Sequence, residues 1–126
     1  MRKLLLLLLV PVTVLPGCAA RPDDGPRSPN AVGMEELTFT PDTRTIPAGS
    51  TLEFVNDGSR ALHVLVLGDD AKPRAQAGAP SFGGASGHRS EVGDRWVTPP
   101  WETPGTYLVT CTLHPAMNLT VTVQQA

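Results

Sequence analysis

Residues 106–123 read TYLVTCTLHPAMNLTVTV, and this stretch decides the fold. Leu119, Val121 and Val123 alternate with Thr120, Thr122 and Gln124 at a period of two, the pattern of a strand with one buried face. Thr106 to Thr110 is a second short β-type run. Between the two lies Cys111-Thr112-Leu113-His114-Pro115-Ala116-Met117, a thiol, an imidazole and a thioether at C-x-x-H-x-x-M spacing. A short loop between two strands can turn all three side chains toward one point.

The same β character extends through the chain. Leu37 and Phe39 alternate with polar neighbours, Thr51 to Val55 is another run, and Trp96-Val97 is a third. His63 to Leu67 (HVLVL) is apolar and β-branched and suits a buried strand. Turn signals separate these runs at Pro41-Asp42, Pro47-Ala48-Gly49, Asn56-Asp57-Gly58, Pro99-Pro100 and Pro104-Gly105. No stretch has a helical period. Many short strands with regular turns predict an all-β sandwich or barrel. Residues 68–90, rich in Gly, Ala, Ser and Pro, are predicted to be a long loop with little regular structure, with His88 solvated inside it. Trp96, Trp101 and Tyr107 are assigned to packing.

The chain has 126 residues, which is room for one domain. Its start is read apart from the fold. Arg2 and Lys3 precede the apolar run Leu4 to Leu15, the length of a signal-peptide core and short for a bilayer span. Leu15-Pro16-Gly17-Cys18 resembles a bacterial lipobox, whose cysteine becomes the lipidated first residue of the mature chain. Pro16 stands where a small residue is usual, and an ordinary cleaved signal with an incidental cysteine is the alternative. The division expected is a signal peptide at 1–17, a flexible Pro- and Gly-rich tether at 18–33, and a folded domain at 34–126. An exported chain, lipid-anchored through Cys18 in the cell envelope, follows from that reading.

The formal net charge is −2, and loss of Arg2 and Lys3 with the leader takes it to −4. A mildly acidic domain offers no basic face for nucleic acid. The cysteines are Cys18 and Cys111. If Cys18 carries lipid, Cys111 is a lone thiol in an oxidising compartment: buried and inert, paired between molecules, or bound to metal.

Taken singly, His63 fits a satisfied core histidine, Met117 core filler and Cys111 a small buried hydrophobe. Together they form a donor set. A thiolate with two imidazoles and a weak thioether suits one copper ion cycling between Cu(I) and Cu(II). Zinc also takes Cys and His, but the soft thioether favours copper.

At these residues the chain resembles the cupredoxin family. Its ligand loop is most similar to the short amicyanin type, with Pro115 after the histidine. AGSTLEFVND (48–57) resembles the strand before the first histidine ligand, and TPGTYLVTC (103–111) the strand leading to the cysteine. The resemblance implies a Greek-key β-sandwich and a site of His63, Cys111, His114 and axial Met117. It also implies one-electron transfer with redox proteins docking near His114, on a patch including Leu62, Leu113, Pro115 and Ala116, by a monomer. Two positions depart from the family. Val64 stands where many members have an Asn that ties the ligand loops together, and Leu119 where many have Gly. Copper delivery or buffering by the same ligands is the second reading, and a metal-free binding module the third. An enzyme is not expected. Two of the three histidines belong to the copper set, and no acid/base or nucleophile constellation stands outside it.

Overall fold

The computed structural model describes residues 27–126. The leader at 1–17, Cys18 and the tether as far as residue 26 lie outside the described residues. Ten strands follow in order: β1 (Ala31–Met34), β2 (Phe39–Thr40), β3 (Thr43–Pro47), β4 (Glu53–Val55), β5 (His63–Asp69), β6 (Lys72–Pro73), β7 (His88–Ser90), β8 (Arg95–Val97), β9 (Gly105–Cys111) and β10 (Asn118–Gln124). One sheet has the order β2-β1-β4-β8. The other runs β3-β10-β9-β5-β6, with β7 also paired to β5. The only helical turn among the described residues is a 3₁₀ turn at Gly84–Ser86. The all-β sandwich expected from the alternating runs is the architecture found.

The two strands flanking the ligand loop behave as their alternation demands. β9 and β10 pair antiparallel, with Leu119 opposite Val109 and Val121 opposite Tyr107. Leu119, Val121, Val123, Tyr107, Val109 and Cys111 are all buried in the core between the sheets. Leu119 is therefore a packed strand residue, and no glycine is required there. Trp101 is fully buried, and its indole N–H donates to Thr98 Oγ1 at 3.0 Å, so its polar edge is satisfied. Phe54 meets Phe39 and Phe82 edge-on and stacks on Trp96, joining the two ends of the smaller sheet.

Several segments differ from expectation. The folded chain begins before Met34. Ala31–Met34 is a buried strand running parallel to β4, with Val32 opposite Phe54. Both of its faces are covered, so it shows no alternation and reads as irregular sequence. Ser28 joins the same edge, its N–H donating to Glu53 Oε2 at 2.8 Å, and Arg27 pairs with Asp57. β3 runs parallel to β10 and buries a single large apolar side chain, Ile46, which leaves too little pattern to detect. Leu37, expected to face inward beside Phe39, is exposed in the bend between β1 and β2.

The 68–90 segment is only partly a loop. Its end forms β7, which pairs with β5. His88 is accordingly half-buried and stacked on Trp96, with ring centroids 3.8 Å apart and planes 10° from parallel. The expectation of a solvated His88 is corrected: cross-strand pairing with Leu65 sets the ring against the sandwich edge.

Candidate metal centre

Register brings the donors together. On β5, Leu65 lies opposite Cys111 of β9, and His63 lies two residues before Leu65. Side chains two apart share a face, so His63 and Cys111 enter the same end of the sandwich. Past Cys111 the chain turns back on itself. The N–H of His114 donates to the Cys111 carbonyl at 3.3 Å, and the N–H of Met117 to the His114 carbonyl at 3.1 Å. Ala116 takes the turn with φ of 69°. The Met117 carbonyl accepts the N–H of Cys111 at 3.2 Å and closes the loop onto its own start.

The donor atoms of His63, Cys111 and His114 all lie within 4.8 Å of one another. Cys111 Sγ is 3.4 Å from His114 Nδ1. The two imidazole rings are 5.0 Å apart between centroids, inclined at 65°. His63, Cys111 and Met117 are fully buried, and His114 is half-buried. Met117 belongs to the loop that carries Cys111 and His114 and packs in the core cluster with Cys111.

His63 shows which of its nitrogens is available. Nε2 is 3.1 Å from Ser59 Oγ. Nδ1 is buried and has no hydrogen-bond partner among the described residues. Burial lowers the pKa of His63, and the neighbouring His114 lowers it further, against a smaller opposing effect of Glu36. A neutral imidazole with one nitrogen held and the other bare is in the form that binds a metal. Beside a thiol and a second imidazole, this donor set fits copper or zinc by type, and a thioether in the same loop tips the fit to copper.

The surroundings hold the set without the family's asparagine. The N–H of Val64 donates to Cys111 Sγ at 3.4 Å, and the Val64 carbonyl accepts the N–H of Thr112 at 2.9 Å. Both bonds use the backbone, so a valine can make them. Asn56, fully buried, donates to the carbonyls of Ala61 and Ser90 at 3.1 and 3.2 Å and fixes the loop before His63. Ser59, Asn56 and Thr110, whose hydroxyl donates to the Met117 carbonyl at 3.1 Å, were not legible as residues supporting the site. Each works by hydrogen-bonding to ring or backbone groups, and no periodicity marks that.

No protein-family model matches the chain. It is 35% identical over 91 residues to plastocyanin from Ulva prolifera, an alignment covering 70% of this chain and 88% of that protein. Among solved structures it is similar to a purple cupredoxin from Nitrosopumilus maritimus, with a TM-score of 0.58 at 22% identity, covering 75% of this chain and 98% of the other. It is also similar to amicyanin from Paracoccus versutus, with a TM-score of 0.59 at 22% identity, covering 80% and 86%. The two structures share its fold, and the plastocyanin shares its sequence at a level that fixes descent: the chain belongs to the cupredoxin family.

Proposed function

We propose that this chain is a type 1 copper protein that carries one electron at a time in the cell envelope. His63, Cys111 and His114 would hold the copper, with the Met117 thioether as the weak fourth ligand. The observation that carries the reading is the convergence of two imidazoles and a thiol within 4.8 Å in a relative of plastocyanin. Bound copper supplies a Cu(I)/Cu(II) couple whose potential depends on the axial ligand and on hydrogen bonding to the thiolate.

The chain's own residues supply the rest. Buried His63, Cys111 and Met117 keep water from the site. The Val64 N–H stabilises charge on the Cys111 sulfur. Of the four, His114 alone is partly exposed; its loop neighbours Leu113, Pro115 and Ala116 are exposed, and Leu62, the residue before His63, is half-buried. An apolar rim around one half-exposed imidazole suits brief docking of a redox protein, the class of small, weak interface such encounters use. The reading is of a carrier and not an enzyme, because two of the three histidines are spent on the copper. Export and a lipid anchor on Cys18 complete it, supported by the leader and the LPGC tetrad.

The test is the absorption and EPR spectrum of residues 19–126 loaded with Cu(II). An intense blue thiolate-to-copper band is expected, abolished in Cys111→Ser and kept with a shifted potential in Met117→Leu. A colourless Cu(II) complex sinks the reading. Reversible voltammetry is expected of a carrier; transfer of copper to an apo acceptor without it marks delivery instead. Cys18→Ser is expected to release the protein from the membrane fraction.

A further inference from the structure

β5 and β6 are joined by a turn at Asp70-Ala71, where both residues have positive φ, 47° and 62°. The turn's two amides are each taken by a side chain from the strands flanking the ligand loop. The N–H of Asp70 donates to Asn118 Oδ1 at 3.0 Å, and the N–H of Ala71 to Thr110 Oγ1 at 3.0 Å. Thr110 is fully buried, and its hydroxyl donates in turn to the Met117 carbonyl at 3.1 Å. Roles in this relay are fixed by chemistry. An amide N–H can only donate and a carbonyl can only accept, so the single hydroxyl proton of Thr110 must go to Met117. The same carbonyl receives the Cys111 N–H at 3.2 Å.

We propose that Thr110 is a positioning residue for the axial ligand. Its hydroxyl ties the backbone of Met117 to the β5–β6 turn on the outer face of the sheet, and so sets how closely the Met117 thioether approaches the metal. The inference rests on the reading of Met117 as axial ligand. Cys111 and Thr110 are adjacent on β9 and face opposite sides of the sheet. The strand thus offers the thiol on its inner side and the brace for the thioether on its outer side. Asn118, the residue after Met117, adds a second tie to the same turn. A residue that only filled space would need no hydroxyl here. Thr110 uses both a lone pair and its proton, and a buried group left with half of such a network is destabilising.

The test is Thr110→Val in the full chain, which keeps the side-chain shape and removes both bonds. Two readouts are taken. In the copper-free protein, the Cys111 amide is expected to exchange with solvent about fivefold faster, as for the loss of one hydrogen bond, with the Val121 amide unchanged. In the copper-loaded protein, copper stays bound one to one, the reduction potential rises as the thioether loosens, and the EPR signal changes its rhombicity. Thr110→Ser is expected to restore both. Asn118→Ala, a milder cut at the same turn, is expected to shift the potential in the same direction and serves if Thr110→Val does not fold. An unchanged potential and EPR signal in these variants overturns the proposal, as does equal acceleration of the Cys111 and Val121 amides. Failure of the wild-type chain to bind copper overturns the copper reading instead, and the exchange measurement then still decides whether Thr110 holds the loop.

Discussion

The Ser59 hydroxyl lies 3.1 Å from Nε2 of His63, leaving Nδ1 as the bare nitrogen of that ring. When Nδ1 faces a metal the ring proton sits on Nε2, and Ser59 Oγ is the group that accepts it. Ser59 is itself held by the N–H of Ala61 at 2.8 Å and is buried. Ser59→Ala therefore leaves a buried N–H unpaired and the ring free to rotate. Copper affinity is expected to fall by about 10- to 100-fold, the usual cost of losing such a partner to a ligating histidine. Competition with a chelator of known affinity measures it, and Ser59→Thr, which keeps the hydroxyl, should recover most of the loss. Equal affinities for wild type and Ser59→Ala would show that the loop alone orients His63.

Ala116 sits in the ligand loop with φ of 69°, where a Cβ is disfavoured by about 1–2 kcal/mol. Glycine removes that strain but makes the unfolded chain more flexible, which returns about 0.4–1 kcal/mol. Ala116→Gly should thus raise unfolding free energy slightly, by about 0.8 kcal/mol, as the difference of the two effects. Ala116→Val should lower it, because a β-branched residue is a genuine outlier at positive φ. Urea unfolding of the copper-free protein tests the pair. The reverse order would mean that the loop changes its backbone path in solution.

His88 carries a pH dependence that does not involve the ligands. Burial against Trp96 lowers its pKa, with Asp94 opposing the shift. The folded state therefore holds fewer protons at this ring than the unfolded state just below the ordinary value of about 6.5. Stability from neutral His88 is complete above that pH and is lost as pH falls toward the folded-state pKa. His63 shifts in the same direction, so only a difference isolates His88. The melting temperature of wild type should drop more between pH 7.5 and 5.5 than that of His88→Gln. Parallel curves for the two proteins would remove His88 from the account.

The cluster of His63, Cys111 and His114 was legible because its residues lie close in sequence or open a strand with a clear pattern. Cys111, His114 and Met117 fall within seven residues between two alternating runs, and His63 opens HVLVL. The alternation of Leu119, Val121 and Val123 placed β10 correctly. What escaped has a common cause. β1 is covered on both faces and β3 exposes most of its length, so neither alternates. β7 is three residues with one polar charge and one buried serine, and it is a strand only because β5 offers an edge. Ser59 and Thr110 are defined by the groups they bond across turns, information that exists only once the chain is folded.

Val64 shows the same limit from the other side. Its side chain cannot make the hydrogen bonds of the asparagine found in many relatives, which suggests a weaker link between the two ligand segments. The link is present all the same. The Val64 N–H reaches Cys111 Sγ at 3.4 Å and its carbonyl takes the Thr112 N–H at 2.9 Å, both from the backbone. The half-buried side chain contributes packing, not bracing. Val64→Ala should then cost about 1 kcal/mol of stability, from the two methyl groups removed, and leave the thiolate-to-copper band where it is in wild type. The position of that band reports on the sulfur's hydrogen bond, so a marked shift in Val64→Ala would mean that the side chain, and not the backbone, sets the distance between Val64 and Cys111.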